Sequence, residues 1–378
     1  MAGSESWTTT AMGTWACERR GDSVSRVAML FTGGTISMVV NAAAGGKVPT
    51  LDGAAILARA PGVGEIAELV PVDLGRTPAS HFTFEKLFEI GSEIRRWQAD
   101  PSIDGVVVVQ GTDVIEETAF LWDLVLDGDK PVIVTGAMRA ASDANDDGPE
   151  NLRNAVRCAT SRELRGAGVL VILDGTINPA DAVTKTHSAA LDTFQCLDTG
   201  PLGLVRDGRV IVERARGPRR HVATDRAAEG VALLIAHVAM DGSLVDAAAS
   251  LRPPGIVVEA TGAGNTAASV VEAAARAIGQ GITVALATRC PAGAASDAYA
   301  FPGGGATWVR AGAILTGHLT GPKARIVLSL GLAAGLDHSA LAELLADPPG
   351  WGPATALAPH PPVDAAAATA TAATAGSA

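Results

Sequence analysis

The chain has 378 residues, which is enough for two domains, each with its own buried core. Its formal net charge of −11 argues against a nucleic-acid partner, because such proteins present a concentrated basic surface. No apolar run reaches the length of a membrane span, and the four singly scattered cysteines fit neither a zinc site nor a disulfide framework. We therefore expect a cytoplasmic protein with reduced thiols and no contact with membranes.

Residues 1–25 are polar and lack an apolar period, so we predict a flexible extension. The next segment, residues 26–205, alternates short apolar runs with amphipathic stretches. This pattern predicts right-handed βαβ units and a larger N-terminal domain with a mostly parallel, Rossmann-like sheet. The predicted elements are strands at 27–31, 106–109, 132–135 and 169–173, and helices at 87–97 and 115–126.

Charge, glycine and proline break this pattern at residues 206–229, where we place an interdomain linker. It contains a short basic cluster that we interpret as solvated: Arg214, Arg216, Arg219 and Arg220. Residues 230–347 are predicted to form a smaller C-terminal α/β domain with a parallel sheet. Its predicted elements are strands at 231–235, 256–259 and 284–287, and helices at 244–251 and 268–278. The Pro-rich and Ala-Thr-rich residues 348–378 are predicted to be a disordered tail.

Two threonine-containing turns follow predicted strands of the larger domain, Thr-Gly-Gly-Thr at 32–35 and Gln-Gly-Thr-Asp at 110–113. In a parallel sheet both turns lie at the carboxyl edge, where open α/β sheets bind their ligands. A threonine hydroxyl becomes a useful nucleophile only when a base takes its proton. Lys185, held in orientation by Asp113, is a candidate base for such a hydroxyl.

Each feature has a structural alternative when it is taken alone. The two glycines of the first turn can make a tight turn in which Thr35 caps a helix. Asp113 with Glu116 fits a helix capping box, and Lys185 by itself can be a surface lysine. The individual motifs therefore leave the function open.

Taken together and in order, the motifs closely resemble the bacterial L-asparaginase and asparaginase/glutaminase family over roughly residues 26–335. The motifs that carry the resemblance are Phe31-Thr32-Gly33-Gly34-Thr35-Ile36, Gln110-Gly111-Thr112-Asp113 with Glu116-Glu117-Thr118, Gly136-Ala137-Met138-Arg139, Asp147-Gly148-Pro149, Asn151-Leu152, Asp181 with Val183-Thr184-Lys185-Thr186, Gly200-Pro201-Leu202-Gly203, and Lys323-Ala324-Arg325.

The resemblance implies an amidohydrolase that splits the side-chain amide of asparagine into aspartate and ammonia through a threonine acyl-enzyme, without metal or organic cofactor. It implies Thr35 as the nucleophile and a proton relay of Thr112, Lys185 and Asp113. It also implies a homodimer or homotetramer whose active sites are shared between subunits and bind a small amino-acid substrate. The implied substrate-binding residues are Gly34, Ala79, Ser80, Gly111, Ala137 and, reaching across from a neighbouring subunit, Asn265.

Two positions depart from the family pattern and keep alternatives open. The loop at 39–51 lacks the tyrosine that the family often supplies. The only tyrosine of the chain, Tyr299, is expected to pack within the smaller domain, and its approach to a neighbouring subunit's site is the alternative. Ala79 stands where many relatives carry a serine that grips the substrate carboxylate. Glutamine or another amide is therefore an alternative substrate, and a catalytically degenerate amino-acid-binding protein is an alternative function.

A rival from another enzyme class comes from residues 262–267, which fit a dinucleotide-binding fingerprint between a strand and a helix. The strand that follows ends without an acidic residue for a ribose, although Arg289 would suit a 2′-phosphate. This signal is weak beside the set of motifs above.

Overall fold

A computed structural model of the protein describes residues 24–348. The predicted extension and tail therefore lie outside the described residues, apart from residues 24, 25 and 348. In chain order the first group of elements is β1 (Arg26–Phe31), β2 (Met38–Asn41), β3 (Gly46–Pro49), α1 (Gly53–Ala58), α2 (Val63–Ile66), β4 (Glu68–Asp73), α3 (Phe84–Ala99), β5 (Gly105–Val109), α4 (Ile115–Val125), β6 (Val132–Thr135), α5 (Gly148–Thr160), β7 (Val169–Leu173), β8 (Thr176–Pro179), β9 (Thr184–Lys185), β10 (Phe194–Gln195), β11 (Gly203–Arg206) and β12 (Arg209–Val212).

The second group follows after residue 230 and builds the smaller domain. It consists of β13 (Ala232–Ile235), α6 (Ser243–Ser250), β14 (Gly255–Ala260), α7 (Ala268–Gly279), β15 (Thr283–Thr288), α8 (Gly305–Ala311), β16 (Ile314–Leu315), α9 (Gly321–Ala333) and α10 (His338–Leu345). In the part of the chain described here, no helix is both long and apolar enough to cross a membrane.

The larger sheet has eight strands in the order β12-β11-β8-β7-β6-β5-β1-β4. The five strands from β7 to β4 are parallel, and β8, β11 and β12 pair antiparallel at the other end. The prediction of a mostly parallel Rossmann-like sheet is confirmed. From β1 the chain goes first to β4 on one side and then to β5 on the other. The topological switch point, where such sheets bind ligands, therefore lies between β1 and β5.

The central strands are apolar throughout because helices cover both faces of the sheet. Alternate residues of β1 and β5 pack against α3 and α4 on one face, and the intervening residues pack against α1 and α5 on the other. Every residue of β5 is buried. Burial on both faces fixes the strand register and, with it, the position of the turn that follows β5.

The smaller sheet contains four parallel strands in the order β13-β14-β15-β16, which confirms the predicted second parallel sheet. Helices α6 and α7 pack on one face of it, and α9 and α10 pack on the other. Helix α9 also packs against α4 of the larger domain. One apolar core is therefore continuous across the two domains.

The structure bears on two expectations about residues 206–229, the interdomain boundary and the solvated basic cluster. Strands β11 and β12 pair within the larger sheet, so we propose that the larger domain extends through Val212 and not only to residue 205. The basic cluster is not solvated, since the side chains of Arg216 and Arg220 are only 6% and 5% exposed. Arg216 lies between the carboxylates of Asp123 and Asp181, at 2.6 and 2.9 Å. The charges near Arg216 in the sequence suggested a solvated segment. They could not reveal the two carboxylate partners, Asp123 and Asp181, because both are distant in the sequence.

Candidate active site

The turn after β1 brings Thr35 to the carboxyl edge of the sheet, at the switch point. The backbone N–H and the hydroxyl of Thr32 donate to the carbonyl oxygen of Val109, at 3.0 and 3.1 Å, and so join the ends of β1 and β5. Gly34 has φ 96°, and a Cβ on it would lie 2.2 Å from the backbone nitrogen of Gly111. Glycine therefore allows the two threonine turns to touch, which places the following residues, Thr35 and Thr112, close together.

Thr35 does not cap a helix, contrary to the structural alternative. It is the first residue of a short 3-10 turn at Thr35–Ser37, and the position before that turn is Gly34. The buried hydroxyl of Ser37 donates to the carbonyl oxygen of Gly34 at 2.7 Å and closes the turn. The hydroxyl of Thr35 is partly exposed and makes no hydrogen bond within residues 24–348. It is therefore free to meet a substrate.

Thr112, Asp113 and Lys185 form one hydrogen-bonded group. The ammonium nitrogen of Lys185 donates to the Thr112 hydroxyl at 3.0 Å and to a carboxylate oxygen of Asp113 at 3.1 Å. Thr112 is buried and the Lys185 side chain is 13% exposed, whereas the Asp113 side chain is 72% exposed. Lys185 is thus not a surface lysine, and Asp113 keeps a carboxylate accessible to a positively charged ligand.

The loop after β6 lies beside this group. A Cβ on Gly136 would lie 3.2 Å from the Thr112 methyl carbon, and the next residue, Ala137, is fully buried. The carboxylate of Asp147 accepts hydrogen bonds from the backbone N–H groups of Met138 and Arg139, at 3.0 and 2.8 Å. This bracing fixes the glycine-rich loop against the second threonine turn.

The residues after β4 complete this edge of the sheet. A Cβ on Gly111 would lie 3.1 Å from the Cβ of Ala79, which is buried, while Ser80 and His81 are exposed. Ala79 therefore packs against the second threonine turn and offers no hydroxyl. Ser80 is the one predicted substrate-binding residue that carries a hydroxyl.

Asn265 lies apart, in the turn between β14 and α7 of the smaller domain. Its side chain lines a cavity of about 390 Å³ whose walls include Met240 and Arg289 and none of the threonine-turn residues. The side-chain oxygen of Asn265 is buried and has no hydrogen-bond partner within the described chain. Arg289, considered for a 2′-phosphate, donates to the Ala236 carbonyl oxygen at 2.9 Å.

Tyr299 does not pack inside the smaller domain as expected. Its ring is 47% exposed and contacts the ring of Phe301, which is 49% exposed, at a centroid distance of 6.1 Å. Two neighbouring aromatic rings on a surface are a feature of interaction sites.

Sequence reasoning missed the role of Glu116, because Asp113 and Glu116 fitted a capping box. Helix α4 has Val114 at its N-cap position and no side-chain cap. The Glu116 carboxyl instead faces the strand that carries Lys185: burial raises its pKa, while Lys323, Thr184 and the Lys185 backbone N–H act in the opposite direction. Helix α4, which follows Thr112, thus packs against the strand that carries Lys185 with Glu116 facing it. The position of Glu116 in the motif with Glu117 and Thr118 was the feature of the sequence that could have indicated this role.

Gln110 belongs to the second threonine motif, and the sequence assigns it no role of its own. It is fully buried, and its side-chain amide donates to the Thr118 hydroxyl at 2.8 Å, which fixes the start of the second turn against α4. Within residues 24–348, no three His, Cys, Asp or Glu side chains are grouped so that they could hold a metal ion.

Comparisons with known proteins agree in sequence and in structure. The family model described as "Asparaginase, N-terminal" matches residues 26–217, and "Glutaminase/Asparaginase C-terminal domain" matches residues 230–345. The L-asparaginase of Bacillus licheniformis is 31% identical over 82% of this chain and 96% of its own length. A probable L-asparaginase of Deinococcus radiodurans is 34% identical over 81% and 92%. The crystal structure of a probable cytoplasmic L-asparaginase from Campylobacter jejuni has a TM-score of 0.76 and 28% identity, covering 85% of this chain and 99% of its own.

Proposed function

This chain belongs to the asparaginase family, and we propose that it hydrolyses the side-chain amide of L-asparagine to aspartate and ammonia. The observation that carries the proposal is the side-chain nitrogen of Lys185, which donates to both Thr112 and Asp113 beside the contact between Gly34 and Gly111. That arrangement puts two hydroxyls and a basic side chain at the switch point of the sheet, as acyl transfer through a threonine ester requires.

In the proposed first step, with Lys185 in its neutral amine form, the hydroxyl oxygen of Thr35 attacks the amide carbon while its proton passes through Thr112 to the Lys185 nitrogen. A C–O bond forms and the amide oxygen becomes an oxyanion. When this intermediate collapses, the C–N bond breaks and the leaving nitrogen takes a proton from the relay, so that ammonia departs. Water then attacks the Thr35 ester, releases aspartate and restores the hydroxyl.

Backbone N–H groups of the glycine-rich turns are the proposed oxyanion donors. Two features support this role: the Gly34 turn is closed by Ser37, and the loop at Gly136 and Ala137 is braced by Asp147 and Asn151. Asn151 donates to the Gly136 carbonyl oxygen at 3.1 Å. Donors that are fixed before the substrate arrives need no reorganisation when charge develops.

The exposed carboxylate of Asp113 is the proposed partner of the substrate's ammonium group. The substrate's α-carboxylate is left to Ser80 and to backbone N–H groups, because Ala79 has no hydroxyl. The missing hydroxyl at position 79 supports a second candidate substrate, glutamine or another amide, whose carboxylate would be bound by other groups.

We also propose a cytoplasmic homo-oligomer with shared active sites. The free thiols of Cys158, Cys196 and Cys290 suit a reducing compartment. Cys17 lies outside the described residues. Exposed apolar side chains on the smaller domain, including Val238 at 91% and the pair Tyr299 and Phe301, supply a surface for a second copy, from which Asn265 would reach a neighbouring site.

The test compares ammonia release from asparagine, glutamine and short amide peptides by wild type, Thr35→Ala and Thr35→Ser. We expect asparagine to be the best substrate and Thr35→Ala to lose about 10³-fold or more in kcat, because the hydroxyl acts in the covalent step. Thr35→Ser keeps a hydroxyl and should retain measurable turnover. Near-normal ammonia release by Thr35→Ala would refute the nucleophile. Absence of release by wild type from every amide would favour a catalytically degenerate binding protein.

A further inference from the structure

Lys323 is a wholly buried lysine outside the proposed relay. It lies in the first turn of α9 in the smaller domain and is 1% exposed. A buried ammonium is costly unless its charge and its donors are matched, and burial lowers the pKa of Lys323 accordingly. The hydrogen bonds of Lys323 therefore show which part of the protein this charge stabilises.

The Lys323 ammonium is fully satisfied by backbone carbonyl oxygens of the larger domain. It donates to Ala180 at 3.0 Å, to Asp181 at 2.9 Å and to Val183 at 2.6 Å. An ammonium group has three N–H donors, so three acceptors match its charged form, whereas a neutral amine would leave one acceptor unmatched. The nitrogen also lies 5.5 Å from the centroid of the Phe120 ring, within the range of a cation–π contact.

The three carbonyls belong to the segment that delivers Lys185 to the relay. That segment links β8 to β9, and Val183 is two residues ahead of Lys185. Strand β9 has only two residues and pairs only with the equally short β10. So short a hairpin cannot hold itself in place, and its position depends on contacts from outside.

Two further groups face the same segment from other sides. The Asp181 carboxylate is 2.9 Å from Arg216, and the Glu116 carboxyl of α4 faces Thr184 and the Lys185 backbone N–H, which counter the rise that burial causes in its pKa. Of the three residues Lys323, Arg216 and Glu116, only Lys323 belongs to the smaller domain. The titratable and charged groups that face it are Glu116, Asp181, Cys196 and Arg216.

We propose that Lys323 is a positioning residue that sets the distance between the Lys185 ammonium and the Thr112 hydroxyl across the domain boundary. This inference rests on the proposed function, since it assigns Lys323 to the proton relay of that site. Lys323 does not touch the reacting atoms, and it acts only through the segment at 180–185.

The first test is kinetic and uses Lys323→Met, which keeps the length of the side chain and removes its donors. We expect kcat for asparagine to fall by about 100-fold, the cost of a misplacement of roughly 1 Å, with KM nearly unchanged. Lys323→Gln keeps two N–H donors, so its kcat should lie between those of wild type and Lys323→Met. This variant provides the test if Lys323→Met does not fold. Lys130→Met is the control, because Lys130 also donates to a backbone carbonyl oxygen, that of Asp100, away from the site.

A double-mutant cycle separates positioning from a general loss of structure. If Lys323 acts through Lys185, adding Lys323→Met to Lys185→Met should cost little further activity. An equal fold-loss of kcat in both backgrounds would overturn the proposal.

The second test does not depend on activity. The chain has only five lysines, at positions 47, 86, 130, 185 and 323. In protein labelled at the lysine ε-carbon, Lys323→Met should shift the Lys185 signal and leave those of Lys47, Lys86 and Lys130 in place. An unmoved Lys185 signal would refute the positioning role. This result can be read even if wild type proves inactive on every amide, in which case only the proposed function fails.

Discussion

Replacing Gly34 by alanine tests whether the contact between the two threonine turns sets the catalytic geometry. The added Cβ would lie 2.2 Å from the backbone nitrogen of Gly111, and ordinary contact begins at 3.4 Å. The turns would therefore separate by roughly 1.2 Å, and a shift of about 1 Å at reacting groups costs about 100-fold in rate. The residue would also keep φ 96°, a strain of about 1–2 kcal/mol for alanine.

Gly281→Ala is the matched control for that strain. Gly281 has φ 86°, and no atom lies within 4 Å of the position its Cβ would take. Ammonia release in a coupled assay gives kcat, and urea unfolding gives the free energy of unfolding. We expect both variants to lose stability through strain, and only Gly34→Ala to lose about 100-fold in kcat. A kcat for Gly34→Ala within about threefold of the control would refute the view that this contact holds Thr35 beside Thr112.

Three further predictions concern burial, pH and substrate. Arg216→Met should lower the free energy of unfolding by about 3–5 kcal/mol in urea, because it leaves the buried Asp123 carboxylate without its 2.6 Å partner; a loss below about 1 kcal/mol would contradict the buried network. The hydrogen bond that the His318 ring donates to the Asp347 carboxylate raises the pKa of His318 above 6.5, so the contribution of this bond to stability is complete below that pH and lost as pH rises through the folded-state pKa. Asp347→Asn should therefore lower thermal stability more at about pH 5.5 than at about pH 8.5, and the opposite order would contradict that linkage. Ala79→Ser should lower KM for asparagine if the substrate carboxylate lies there, and an unchanged KM would place the carboxylate elsewhere.

The sequence predicted the elements that depend on local hydrophobic pattern. The run Gly105–Val109 is buried on both faces, and such a run is identified by its apolar residues alone. The same holds for the strand that precedes Thr32. Because both strands are parallel neighbours, the rule that ligands bind at the carboxyl edge located Thr35 and Thr112 correctly on one edge of the sheet.

Partners that are distant in the chain could not be predicted in this way. Arg216 was interpreted as solvated because its neighbours in the sequence are polar, whereas its carboxylate partner Asp123 lies 93 positions away. Lys323 contacts carbonyl oxygens that are 140 or more positions away. Glu116 fitted a capping box by spacing, yet tertiary contacts with the strand of Lys185 decide where its carboxylate lies.

The central claim is that Thr35 carries the acyl group, and trapping that ester tests it most directly. Asparagine is mixed with wild-type enzyme, and the reaction is quenched with acid within the first turnovers for peptide mass mapping. The account predicts an aspartyl ester on the peptide that contains Thr35, and no such adduct in the Thr35→Ala variant. An aspartyl ester on the peptide that contains Thr112, or an adduct that persists without the Thr35 hydroxyl, would contradict it.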